Sequence, residues 1–289
     1  MKNQPPIQTK KLKALLLFLI VCLPNIFAQE APVILDSTFL KCEYKTLYYT
    51  DTLKFKDAIW MDDEFILEVG TKISKFYSKN TDEYERMRSD PDAMAAFNKA
   101  IKTSSESTIM NFPARHSTLV IYNNYPKGKR IVQDAIFFDY YIFEDNNQPQ
   151  RWTMIADSVK TILGYTCKKA TCSYRGRNYE AWYAIDLPMN AGPWKFSGLP
   201  GLIMSVQDTK GHYTFEIKGL MKVKEPIEYI EFTDRKYNHT DRKTFLRTNA
   251  KSLQIGLVRY LEANSPEGSN SDFKQTGGGA KYDLLERDY

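Results

Sequence analysis

Two sets of side chains in this 289-residue sequence have types and spacings that chemistry can use. The first is nucleophilic. Cys42, Cys167 and Cys172 supply thiols, and His116, His212 and His239 supply bases. Cys167 or Cys172 attacking with His212 as base would make a hydrolase or a thiol-based enzyme. No Gly-x-Ser-x-Gly elbow supports a serine alternative. The histidines lie far apart, with no i, i+4 pair and no carboxylate placed as on a metal-binding helix, so spacing assigns no metal, no cofactor and no catalytic residue. The second set is built for recognition: Arg177, Tyr179, Trp182, Trp194 and Lys195 combine bidentate and point-charge donors with large amphipathic rings. On a strand, Tyr179, Ala181 and Tyr183 share one face, while Trp182 joins Asn178 and Glu180 on the other. Arg177, Trp182 and Trp194 around one cleft would hold an apolar ligand or a protein partner. The competing reading has both tryptophans covering the open end of a sheet.

The compartment follows from the first 28 residues. Lys10, Lys11 and Lys13 form a basic segment, and Ala14 to Leu23 is an apolar run too short to span a membrane. Ile26-Phe27-Ala28 ends on a small residue, so cleavage is expected after Ala28, leaving Gln29 first. No later run has the length of a transmembrane helix. The formal charge of +5 then collapses. Four lysines leave with the leader and no acid does, so 40 basic and 35 acidic residues become 36 and 35. A near-neutral surface excludes nucleic acid as a partner. Export to the periplasm, the outer membrane or the medium also exposes the cysteines to oxidation. On one strand, Cys167 and Cys172 would be ~16 Å apart and cannot pair. A disulfide from Cys42 to either of them is expected.

Alternation and turn chemistry describe what must position these residues. Phe39 to Lys45 alternates with Leu40, Cys42 and Tyr44 on one face, a half-buried strand. Strand runs recur at Phe65–Val69, Ser74–Tyr77, Thr118–Tyr122, Ile131–Asp139 and Tyr140–Glu144. From Gln150 to Leu220 they continue as Trp152–Ala156, Ile162–Cys172, Tyr179–Ile185, Leu202–Gln207 and Tyr213–Leu220. Arg175 to Asn178 and Asp208 to Gly211 read as hairpin turns. Ser89-Asp90-Pro91-Asp92 opens a helix with Ala93, Phe97, Ala100 and Ile101 as its apolar stripe. A second helix from Asp241 to Ala263 carries Leu246, Ala250, Leu253, Leu257 and Leu261 on one face. Pro200-Gly201 reads as a type II turn with Gly201 at positive φ, feeding the strand at Leu202. Proline removes a donor there and a strand follows, which argues against a phosphate loop.

Several separated blocks occur in a fixed order: Trp152, Ile162-Leu163-Gly164-Tyr165, Cys167 to Ala170, Gly176-Arg177, Tyr179, Ala181-Trp182-Tyr183, Leu187-Pro188, Gly192-Pro193-Trp194, Ser197 to Ile203, and Asp208. This stretch resembles the GLPGLI family of secreted bacterial envelope proteins, named for the motif that stands here as Gly198-Leu199-Pro200-Gly201-Leu202-Ile203. The resemblance implies an exported protein of the diderm envelope and implies no catalytic residues. The sequence predicts an α+β fold, mainly antiparallel β: a curved open sheet or partial β-barrel with two packed helices. Residues 1–28 are the leader, 29–266 one β-rich domain, and 267–289 a flexible tail containing Gly277-Gly278-Gly279. The expected role is non-catalytic. The protein would bind an apolar ligand, or partner an outer-membrane transporter or another envelope protein.

Overall fold

The computed structural model describes residues 32–49, 60–103, 113–232, 234–263 and 284–289. The leader and the Gly277–Gly279 run lie outside the described residues. One sheet of twelve strands organises the rest: β1 (Val33–Tyr49), β2 (Trp60–Gly70), β3 (Ser74–Ser78), β4 (Val120–Asn123), β5 (Lys129–Ile136), β6 (Asp139–Asn146), β7 (Thr153–Ile162), β8 (Tyr165–Tyr174), β9 (Arg177–Ala184), β10 (Leu202–Asp208), β11 (Tyr213–Tyr229) and β12 (Tyr237–Asp241). The spatial order is β12-β6-β5-β4-β3-β2-β1-β11-β10-β9-β8-β7. Two antiparallel meanders, β1 to β6 and β7 to β11, thus share a spine made of the two longest strands, β1 and β11. β12 pairs in parallel with β6. The sheet is open and curved, as predicted.

Among the described residues three helices accompany it: α1 (Lys79–Ser89), α2 (Pro91–Lys102) and α3 (Arg242–Ala263). Two of them are the predicted ones. Asp90 caps α2, accepting from the N–H groups of Asp92 and Ala93, with Pro91 in the first turn. Asp241 Oδ1 accepts from Thr244 N–H at the start of α3, which loses helical geometry at Gly256. α1 is unpredicted because its sequence has no apolar stripe. It is held by the Ser78 cap and by burial of Thr81 and Glu85.

The interior is filled with side chains. In β1, Leu40, Cys42 and Tyr44 point inward, and Tyr44 Oη donates to the Ile203 carbonyl at 2.6 Å. Phe65 stacks on Phe76 at 4.7 Å, and Phe196 meets Tyr179, Trp194 and Phe215 edge-on. Two local expectations are corrected here. Leu163 and Gly164 both have positive φ and form a two-residue turn, dividing the single strand read at Ile162–Cys172. Gly201 is not in the left-handed region, so Pro200-Gly201 is not a type II turn. Glycine is needed there for closeness: a Cβ would sit 2.1 Å from the Ala184 carbonyl oxygen at the end of β9. The positive φ in the motif belongs to Gly198, at 94°.

The expected disulfide is also absent. Cys42, Cys167 and Cys172 are free and buried. In the sheet order β11, β10 and β9 stand between β1, which carries Cys42, and β8, which carries the other two.

Candidate functional site

The structure brings three of the five predicted recognition residues, Arg177, Tyr179 and Lys195, against residues 284–289, with Trp194 beside Lys195. The β8–β9 hairpin turns on Arg175 and Gly176, both at positive φ, and delivers Arg177 into the interior. Arg177 donates to Asp208 Oδ2 (3.0 Å) and to the carbonyls of Leu285 (3.0 Å) and Leu284 (2.8 Å), with its guanidinium 4.7 Å from the Tyr213 ring. Tyr179 Oη lies 3.5 Å from the Leu285 carbonyl. Trp194, buried and at φ 53°, precedes Lys195, which is 1 % exposed. Lys195 Nζ donates to Asp145 Oδ2 (2.8 Å) and Glu286 Oε1 (2.5 Å). Arg242, the first residue of α3, donates to Glu286 Oε2 (2.6 Å) and to Asp288 Oδ1 (2.8 Å) and Oδ2 (3.0 Å). Arg175 completes the cluster on Asp145 (2.6 Å) and Asp288 (3.2 Å).

This cluster closes the curl of the sheet. Asp145 on β6 meets the β8–β9 turn although seven strands separate β6 from β9 in the sheet order. Burial raises the Asp145 carboxyl, but Lys195 and Arg175 outweigh it and hold the group below the usual aspartate range. Asp288 is depressed in the same way, against burial, by Arg242 and Arg175. The tail predicted to be flexible is therefore docked over Leu284–Tyr289, while residues 264–283 lie outside the described residues. Trp182 does not join this cluster. It faces the other side of β9, half-buried, with Lys160 and Lys169 at 5.7 and 5.9 Å from its ring. The expected cleft of Arg177, Trp182 and Trp194 does not exist.

A second site was missed by sequence reasoning. In β3 the pleat sends Phe76 to the core and Lys75 and Tyr77 to the opposite face, where Lys75 is in register with Tyr122 of β4. That face is roofed by α1 and by Ile230, Phe232 and Arg235, leaving a small cleft that opens to solvent. Tyr77, Tyr122, Tyr140, Phe232 and Tyr237 supply aromatic wall. Arg235 pairs with both oxygens of Glu85 (3.0 and 2.7 Å) and stacks on Tyr140 and Phe232 at 4.5 and 4.3 Å. Lys75 is only 8 % exposed. Its Nζ lies 4.8 Å from the Tyr77 ring and 5.6 Å from the Tyr122 ring, and it makes no ion pair among the described residues. Glu68, opposite it on β2, accepts instead from Tyr77 Oη (3.0 Å) and pairs with Lys41 (3.4 Å). Desolvation pushes the Lys75 ammonium below its ordinary pKa, and neighbouring carboxylates only partly restore it. The available sequence signal was the tyrosines on strand faces that alternation marks as polar.

The nucleophilic set behaves differently. Burial pushes the Cys42 and Cys172 thiols up to about 12 and raises Cys167, so all three are protonated at neutral pH. His212 Nδ1 stands 4.0 Å from Asp208, and His116 Nδ1 stands 3.4 Å from Asp63. Among the described residues no group of three or more His, Cys, Asp or Glu is placed to hold a metal ion. No helix among them is long and apolar enough to cross a membrane.

Residues 174–205 match a family described as "Protein of unknown function (Porph_ging)". The matched stretch runs from the end of β8 into β10. It contains Arg175, Arg177, Trp194, Lys195 and the Gly198–Ile203 motif. No curated protein matches the chain. Among solved structures the chain is similar to PNGF-II in its P21 and C2 crystal forms, at 16 % identity in both and TM-scores of 0.46 and 0.45. The similarity covers 75 % of this chain and 34 % and 33 % of the PNGF-II chains, so the chain spans about a third of their length.

Proposed function

We propose that this is an exported envelope protein, periplasmic or outer-membrane-associated, with a non-catalytic binding role. Its ligand is a small amphipathic anion, an apolar or aromatic body bearing a carboxylate, held in the cleft above β3. The observation that carries this reading is Lys75, nine-tenths buried between two tyrosine rings without an anion. Burying an ammonium group costs several kcal/mol unless it is paired, and two ring faces offset about 0.5–2 kcal/mol each. A ligand carboxylate supplies the missing partner, and the aromatic walls supply apolar area. The resemblance of the signature region and the leader-like first 28 residues support the compartment.

Native mass spectrometry of protein purified from its own envelope fraction tests the reading. The expected result is a chain beginning at Gln29 that carries a small acidic molecule, and loss of that molecule from Lys75→Met. A ligand-free mass for the wild type, or equal retention by Lys75→Met, contradicts it.

A further inference from the structure

The hexapeptide Leu284–Tyr289 meets the body of the protein as a bound peptide does. Its backbone is read by Arg177, which donates to two successive carbonyls, and by Arg175, whose carbonyl accepts from Arg287 N–H at 2.8 Å. Its acidic side chains, Glu286 and Asp288, enter a basic site. Gly176 leaves room for it, since a Cβ there would lie 2.7 Å from Arg287 Cβ. Among the described residues, the groove without this segment would present Arg130, Arg175, Lys195 and Arg242 against Asp145 alone. Such an excess of buried cations demands an acidic occupant. The tether between α3 and the hexapeptide, positions 264–283, can reach up to ~70 Å when extended. Its length therefore permits docking in the same chain and in a neighbour.

We propose that the groove formed by the β8–β9 turn, Lys195 and the start of α3 is a recognition site for an acidic peptide segment, filled here by residues 284–289 of the same chain and open to the same segment of a second copy. Backbone contacts give affinity and the two carboxylates give specificity, the division of labour seen in peptide-binding grooves.

The test keeps the chain intact during folding. A protease site replaces Gly277-Gly278-Gly279, the folded protein is cleaved, and a fluorescent synthetic peptide, Leu-Leu-Glu-Arg-Asp-Tyr, is titrated in while polarisation is read. The expected result is saturable exchange with the released terminal fragment. The peptide carrying Glu286→Gln and Asp288→Asn should bind at least tenfold more weakly. In uncleaved protein the same peptide should compete weakly, because the tethered segment has the higher effective concentration. No exchange after cleavage, or equal binding of the neutralised peptide, overturns the proposal. A second reading uses the uncleaved chain: Glu286→Gln with Asp288→Asn should raise peptide capture relative to wild type, and an unchanged value also overturns it.

Discussion

Two buried lysines, Lys75 on β3 and Lys195 in the loop between β9 and β10, face opposite circumstances. Lys195, 1 % exposed, is gripped by Asp145 and Glu286 in a cluster where guanidinium and carboxylate groups alternate. Lys75, 8 % exposed, lies against Tyr77 and Tyr122 at the wall of an open cleft. The first arrangement is complete: the chain supplies the anions itself and uses them to bind the two meanders and the C-terminus into one body. In the second, Lys75 makes no ion pair among the described residues. The difference teaches that burial of a charge does not by itself mark a functional site. What marks it is whether the fold provides the partner.

The same substitution at both positions separates them most strongly. Lys195→Met leaves Asp145 and Glu286 buried beside each other and should cost about 3–5 kcal/mol, read by urea denaturation. Lys75→Met replaces an unpaired ammonium with an apolar chain of similar length and should be neutral or slightly stabilising. Equal losses at the two sites would break the comparison.

Gly201→Ala is the next largest effect and sharpens the contrast between packed and open regions. The added methyl would collide with the Ala184 carbonyl, and overpacking of this kind costs about 1–3 kcal/mol. Since φ at Gly201 is not positive, the loss comes from contact rather than backbone strain. Gly201→Ala with an unchanged melting temperature would contradict the close approach.

Acid and base should act on the two regions oppositely. Asp145 and Asp288 have native pKa values below their ordinary 3.8. Their contribution is fully present above that value and is lost as pH falls through the depressed native values. Release of the terminal hexapeptide should therefore begin only below about pH 4, monitored by proteolysis of the tail. Lys75 is depressed below 10.5, and a carboxylate ligand favours its charged form. Affinity in the cleft should fall as pH rises through the depressed Lys75 value, well before ordinary lysines deprotonate. An affinity flat across the alkaline range would exclude Lys75 as the anchor.

The smallest expected effect is at Trp182. Lying half-buried on the outer face between Lys160 and Lys169, it should cost about 1 kcal/mol when changed to alanine. A loss of several kcal/mol would place it in the core.

The strands of the signature region were legible because period-2 alternation and two-residue turns are local signals. Helices α2 and α3 were legible from their caps and apolar stripes. Helix α1 was not, since Lys79–Ser89 carries no apolar stripe and is held by a cap and by Arg235, distant in sequence. The contact of Arg177, Tyr179 and Lys195 with Leu284-Leu285-Glu286 was invisible, because that segment is too short to show a period and is bound by groups distant in sequence. Gly201 was recognised as constrained for the wrong reason. Pro-Gly is a turn signal locally, whereas the actual constraint is the end of β9. Lys75 drew no notice within the strand run Ser74–Tyr77, because only the roof formed by α1, Ile230, Phe232 and Arg235 makes it unusual.

The central claim is that Lys75 awaits an anion from outside the chain. Isothermal titration of wild type and Lys75→Met with 4-phenylbutyrate and with its neutral amide tests it most directly. The account predicts that wild type binds the acid at least tenfold more tightly than the amide, and that Lys75→Met removes this preference while retaining the fold. Equal affinity of wild type for acid and amide, or an unchanged preference in Lys75→Met, would contradict it.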